Sequence, residues 1–330
     1  MATTCGKFST KNDPKTPRPR VLSRHCARQI RLRTGIVAFP CSDGTVRVGC
    51  SERRSLRLRP PDSLDQTGCL TLLSLLEAGQ TAAQLRDAAK LRGARPEAAD
   101  ALVRLVQTAD LLAPKEQAPA RIHVHGSGPL ATGLQNALRE AGARVTATRE
   151  TPLHRDVPEH KPELAVLTDR IAPDPAIVHQ LLVAKIPHLR VRLVDGDGHI
   201  GPLVLPGRTG CLWCEQQHAA DADPFRSELL RRLGSCSGRA EPRVVRAVLA
   251  QAAVEIDHAL QFLRGTGQSS APRALGSVVE IRHDGMLVPP RPQSSHPNCL
   301  FHSALPHRAR ELAPADAETA RYEMSHDALR

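Results

Sequence analysis

Apolar positions alternate with polar ones up to Pro60 and then recur at helical spacing. Gly35–Phe39, Thr45–Cys50 and Ser55–Arg59 read as short strands. In the third, Leu56 and Leu58 alternate with Arg57 and Arg59, which gives one buried and one exposed face. Pro40-Cys41-Ser42-Asp43-Gly44 supplies the turn residues of a hairpin between the first two. Beyond Pro61, Cys69, Leu70, Leu72, Leu73 and Leu76 mark a helix that ends at Gly79. Thr81 can cap a second helix carrying Ala82, Leu85 and Ala88–Ala89. Pro96 opens a third, with Ala99, Leu102, Val103, Leu105 and Val106 inward. Three strands followed by three short helices predict an α+β winged-helix domain over residues 33–114.

After a linker, the pattern becomes that of a second, α/β domain over 121–303. A strand at Arg121–His125 runs into Gly126-Ser-Gly128-Pro-Leu-Ala131 and a helix through Ala141, and Ala143–Thr148 is the next strand. This is the β-α-β opening of a Rossmann-like fold. Gly126 permits the tight turn, Gly128 lets backbone approach a phosphate, and the small Ala131 lets helix pack on strand. His123 and His125 share one strand face and are expected to be partly exposed. An irregular stretch, 149–163, follows. Leu164–Thr168, His188–Val194 and Ile200–Leu205 read as strands and Pro175–Ala184 as a crossover helix. Helices follow around Pro224–Leu233 and over Pro242–Leu263. Ser277–His283 and Met286–Val288 predict a late hairpin, and residues 304–330 a polar tail.

Composition adjusts this picture in three places. Aromatic residues are 2% of the chain, so the cores must be built from Leu, Val, Ile and Ala. The net charge of +11 suggests nucleic acid until it is located. Nine Lys or Arg fall within residues 1–34 against Asp13 alone, which reads as a disordered basic tail over 1–32. Residues 35–116 hold eleven Lys or Arg against ten Asp or Glu, and the third helix sets Glu97 and Asp100 against Arg104. A near-neutral domain cannot neutralise many phosphates, so specific nucleic-acid binding is not expected. Nor does the chain show an apolar run long enough to cross a bilayer or a secretory leader. Nine unevenly spaced cysteines point to a reducing cytoplasm.

The cysteine spacing carries the clearest chemistry. Cys211-Leu-Trp-Cys214 places two thiolates on one tight turn, the span of one edge of a tetrahedral zinc site. His296-Pro-Asn-Cys299-Leu-Phe-His302 can supply the other edge from Cys299 and His302, with His296 competing for the fourth place. Four protein ligands leave no open position, so such a zinc ion is structural.

The stretch Ile186-Pro-His-Leu-Arg-Val-Arg192, then Gly201-Pro-Leu-Val-Leu-Pro-Gly207, Cys211-Leu-Trp-Cys214 and His296-Pro-Asn-Cys299 resembles ThiF-like (E1-like) proteins. The nearer resemblance is to an actinobacterial branch that partners azoline-forming cyclodehydratases. Residues 33–114 resemble a PqqD-type RiPP recognition element. The resemblance implies a leader-peptide-binding scaffold that recruits a precursor peptide to a separate modifying enzyme. It implies a peptide added as a strand beside Ser55–Arg59 and against Pro96–Ala109. Leu56, Leu58, Leu102 and Leu105 would lie below that groove, and Arg57 and Arg59 would form its rim. A homodimer through the Rossmann-like unit is also implied.

Active E1-like enzymes bind ATP, and their features are incomplete here. The chain has no Asn-x-x-Arg-Gln stretch, and Glu150 alone stands where a ribose-binding carboxylate would be. Asp169 is the candidate for the magnesium aspartate, so Gly126, Gly128, Ala131 and Asp169 form at most a vestigial nucleotide site. An ATP-dependent adenylating enzyme, with Cys236 as its loop thiol, is the alternative. A winged-helix DNA-binding regulator is the second.

Overall fold

A computed structural model describes residues 29–52, 55–113, 117–149, 161–266 and 271–303, with the backbone alone at 302 and 303. The expected basic tail up to residue 28, the polar tail and residues 150–160 of the irregular stretch lie outside the described residues. The chain divides into two compact units, Met1–Glu116 and Gln117–Arg330.

The first unit contains β1 (Gln29–Ile30), β2 (Ala38–Pro40), β3 (Val46–Val48), β4 (Leu56–Leu58), α1 (Gln66–Ala78), β5 (Gln80–Thr81), α2 (Ala82–Leu91) and α3 (Pro96–Thr108). The three expected strands form an antiparallel sheet, β2-β3-β4, each shorter than its apolar pattern. The Gln66 side chain donates to the carbonyls of Cys41 and Thr45, at 2.8 Å each, and fixes the hairpin turn on α1. Gly79 ends α1 with φ at 83°, a conformation that suits glycine. Thr81 and Gln84 make a complete capping box at the start of α2. The folded region begins before the expected residue 33: Gln29–Ile30 pairs with Gln80–Thr81, and Leu32 is buried. Leu105 was expected inward, yet it is 41% exposed. The buried stripe of α3 centres on Leu102 and Val106 and leaves Leu105 at its margin.

The second unit contains β6 (Arg121–His125), α4 (Pro129–Glu140), β7 (Arg144–Thr148), β8 (Leu164–Asp169), α5 (Pro175–Val183), β9 (His188–Val194) and β10 (Asp197–Val204). It continues through α6 (Leu212–Ala222), α7 (Arg226–Leu233), α8 (Pro242–Leu263), β11 (Ser277–Ile281), β12 (Leu287–Pro292) and α9 (Leu300–Ser303). Seven strands lie in the order β12-β11-β10-β9-β8-β6-β7. The pairs among β7, β6, β8 and β9 are parallel, and those from β9 to β12 are antiparallel. Every residue of β8 is buried, as a parallel strand covered on both faces requires. Leu164 and Val166 join the core formed with α4 and α8, while Ala165 and Leu167 join the one formed with α5 and α6. The α8 core needs Gly198, where a Cβ would fall 2.0 Å from Val248 Cγ2. Among the described residues no helix is long and apolar enough to cross a membrane.

His123 and His125, expected to be partly exposed, are buried because β6 is covered on both faces. Both nitrogens of His123 meet hydroxyls on β7, Thr146 and Thr148, at 2.9 Å each, and His125 Nδ1 meets Thr148 at 2.9 Å. Burial, then the charge of His125, pushes His123 down to about 4. His125 is lowered by burial and by Arg170. Burial likewise holds His188 at about 4, and burial with Arg192 and Arg291 holds His199 there. The rings of His123, His188 and His199 take up protons more readily once unfolded, so their contribution is complete above the ordinary histidine value and lost as pH falls from about 6.5 to about 4. Unfolding of the second unit at pH 5 should therefore take up about three protons from these groups, read from the pH dependence of denaturant midpoints. A midpoint flat across that range would contradict the buried, neutral assignment.

Candidate functional site

The glycine turn lies between β6 and α4, and the sheet order sets the end of β8 directly beside it. Asp169 closes β8 with φ at 69° and is buried. Its carboxylate accepts hydrogen bonds from the backbone N–H groups of Gly128, Leu130 and Ala131, at 3.1, 3.1 and 3.0 Å. These are the N–H groups that a phosphate would use at the start of a helix, where the positive end of the helix dipole also favours an anion. The two glycines serve this internal contact. A Cβ on Gly128 would lie 2.2 Å from Asp169 Oδ1, and one on Gly126 would lie 2.0 Å from Thr168 Oγ1. Gly126, Gly128, Ala131 and Asp169 are thus brought together as one cradle, filled by the protein's own carboxylate.

A second locus surrounds the start of α6. The Cys-x-x-C segment, expected as a tight turn, is instead a helix start, with Cys211 as N-cap and Cys214 in the first turn. Cys299 arrives from the loop before α9. All three thiols are buried, with Cys211 Sγ 3.7 Å from Cys214 Sγ and 3.6 Å from Cys299 Sγ. Tetrahedral Zn–S bonds of 2.3 Å would set sulfurs about 3.8 Å apart, so the three donors fit a zinc ion. Contact with Cys214, together with burial, pushes the Cys211 thiol far up, so without a cation beside it the group stays protonated. The side chain of His302, the expected fourth donor, lies outside the described residues.

His296 stands in a different group. Its Nδ1 accepts the backbone N–H of Asn298 at 3.1 Å, so its proton sits on Nε2, which meets Asp221 Oδ2 at 2.8 Å. Its ring crosses that of His218 at 4.7 Å, and His218 Nε2 lies 3.2 Å from the carbonyl of Ser294. Ligand atoms of His218, Asp221 and His296 lie within 4.8 Å of one another. With both His296 nitrogens engaged, this group ties the loop bearing Cys299 to the helix bearing Cys211 and Cys214.

Charge inside the second unit was not anticipated from the sequence. Arg190, 2% exposed, and Arg192 reach from β9 to Glu215 on α6, at 2.7 and 2.6 Å. Both also donate to the carbonyl of Ile171. Burial and the charge of Arg192 lower Arg190 to about 9. Burial would raise Glu215, but Arg190 and Arg192 outweigh it and hold the carboxyl below its ordinary value. The alternation of His188, Arg190 and Arg192 with Leu189, Val191 and Leu193 was the signal that one face of β9 is polar.

In the first unit, Leu58 and Leu102 are buried and Leu56 is partly buried. Arg57 pairs with Asp43 and donates to Thr45 Oγ1 at 3.0 Å, while Arg59 is exposed. Cys236 is exposed, in the loop after α7.

No family model matches the chain, and no curated protein matches it. Solved structures do. A heterocyclase in complex with substrate and cofactor superposes with a TM-score of 0.61 at 19% identity, over 83% of this chain and 39% of that one. The heterocyclase TruD gives 0.58 at 19% identity, over 83% and 42%. Escherichia coli MccB, solved with AMPCPP and MccA, gives 0.52 at 11% identity, over 83% and 99%. At such identities the likeness shows the fold alone. The chain spans about two fifths of the length of the heterocyclases it matches.

Replacing Asp169 by Ala leaves three backbone N–H groups without a partner, which should cost about 3 kcal/mol or more. Inorganic phosphate should raise the unfolding temperature of Asp169→Ala but leave the parent unchanged. Equal responses would show that the cradle is not the feature Asp169 fills.

Proposed function

We propose that this protein is a non-catalytic peptide-binding scaffold, which recruits a ribosomally made precursor peptide to a separate modifying enzyme. The observation that carries the reading is the Asp169 carboxylate, seated on the N–H groups that a nucleotide phosphate would need. An internal anion there competes at very high effective concentration with any external one. Likeness to heterocyclases supports the class of pathway.

The first unit is the peptide-recognition domain in this reading, a winged-helix element of PqqD type. Strand β4 is an edge of its sheet among the described residues, and a peptide strand can pair there. Leu56 and Leu58 would support that strand from beneath. On α3, buried Leu102 would support the groove and exposed Leu105 would offer it an apolar contact. Arg59 is free to meet an acidic leader, whereas Arg57 would first have to leave Asp43. The second unit presents the E1-like body, which would pair with a second copy and with the enzyme.

Cys211, Cys214 and Cys299 would hold zinc, with His302 as fourth ligand. Zinc supplies cross-linking here: it would bind the start of α6 to the loop before α9. The side chains around it already converge, through His296 and Asp221.

Two measurements test the reading. Titration of Mg-ATP into the full-length, metal-replete protein should give no heat of binding. Micromolar binding would instead favour the ATP-dependent adenylating enzyme. The purified protein should carry about one zinc per chain, and Cys214→Ser should lose most of it together with thermal stability. Metal-free protein of unchanged stability would remove zinc from the account.

A further inference from the structure

Beside the start of α6 lies a half-open cavity of about 290 Å3, outside the glycine cradle and the three-thiol group. Pro173 and Val178, with Leu212, Trp213 and Gln216 of α6 and Leu230 of α7, form a largely apolar wall. Two charges of opposite sign stand in the same lining, Arg170 after β8 and Asp174 at the start of α5. Their side chains are 30% and 37% exposed, so both are open to a guest.

The two charges are close but poorly matched to each other. Asp174 Oδ1 accepts the backbone N–H of Ala176 at 2.9 Å and so caps α5. Its Oδ2 stands 3.8 Å from Nη1 of Arg170, an ion contact too long for a hydrogen bond. Among the described residues the Arg170 guanidinium makes no hydrogen bond. A guanidinium presents a planar fork of donors that matches a carboxylate bidentately, and here that match is missing. The other void that touches Arg170, beside His125, measures about 10 Å3 and has room for at most one water. A ligand reaches the fork through the larger cavity.

An occupant must satisfy both charges at once. A carboxylic acid alone would set its negative charge beside Asp174, and an amine alone would set its positive charge beside Arg170. A chain terminus carries only one of the two charges, and an internal stretch of backbone carries neither. A free α-amino acid carries both, separated by a single carbon. We infer that this cavity binds a free α-amino acid with a large apolar side chain. The carboxylate takes Arg170, the ammonium group takes Asp174, and the side chain lies against Trp213 and Leu230. The volume, at the lower end of that for ligand pockets, about 300–1,000 Å3, suits one residue and not a peptide. The site belongs to the second unit, so it stands whether or not the first unit binds a leader peptide.

Trp213 is the single tryptophan of the chain, so its emission reports the cavity in the full-length protein. The probe is L-phenylalanine, which does not emit under excitation selective for tryptophan. It should shift Trp213 emission saturably, with a dissociation constant on the order of 1 mM or below, and calorimetry should return the same constant. N-Acetylphenylalanine lacks the ammonium charge, phenylalaninamide lacks the carboxylate, and glycine lacks the side chain. Each should bind about tenfold more weakly or worse. Asp174→Asn keeps a capping side chain on α5 and removes its charge. In that variant phenylalanine should bind about tenfold more weakly and lose its advantage over the N-acetyl form. Arg170→Met should likewise weaken phenylalanine about tenfold. No saturable binding of phenylalanine by either method would overturn the proposal, as would equal binding of the three analogues. So would an Asp174→Asn protein that still prefers the free amino acid.

Discussion

Three backbone N–H groups converge on the carboxylate of Asp169, and the architecture of the second unit is arranged around that contact. It joins the end of β8 to the turn after β6 and to the first turn of α4. The positive end of α4 favours the carboxylate, and the carboxylate satisfies donors that a helix start otherwise leaves to water or ligand. Hydrogen bonds to a charged acceptor are among the stronger ones, about 1.5–3 kcal/mol each. Two glycines are obligatory for it, since any side chain at 126 or 128 would meet Thr168 or Asp169. The same glycines that admit a phosphate in a nucleotide-binding fold therefore admit an internal anion here.

The opposite face of the sheet is organised by α6. Its first turn carries Cys211 and Cys214, and Glu215 next to them faces inward to meet two arginines of β9. One turn further, His218 and Asp221 hold the loop that brings Cys299. A buried ion pair adds little net stability relative to apolar packing, but losing one partner strands the other charge at a cost of about 3–5 kcal/mol. Arg190, Arg192 and Glu215 thus fix where α6 lies more than how stable the unit is. The thiols depend on that placement, as does the cavity at Trp213 and Gln216.

Shared fold at 11–19% identity is what such constraints produce. Sheet order and core volume tolerate wide changes of sequence, whereas function resides in a few sites on the frame. In this chain the frame is kept and the glycine cradle has been filled from within.

The sequence by itself determined the elements. Alternation placed β2, β3 and β4, Thr81 and Gly79 marked helix ends, and Pro242–Leu263 was legible from end to end because period and caps are local properties. The Cys-x-x-C and the late Cys299 were read as one donor set, and the fold brings their three thiols together. Contacts across the sheet were not legible. Asp169 lies 41 residues from Gly128 in sequence, and only the order β8-β6-β7 sets them side by side. His123 and His125 looked partly exposed until β7 supplied hydroxyls and both faces of β6 were covered. His296 was weighed as a fourth zinc ligand, and only the fold shows that its two nitrogens meet Asp221 and the Asn298 N–H. In each case the deciding partner is distant in the chain, and packing alone determines which distant groups share a hydrogen bond.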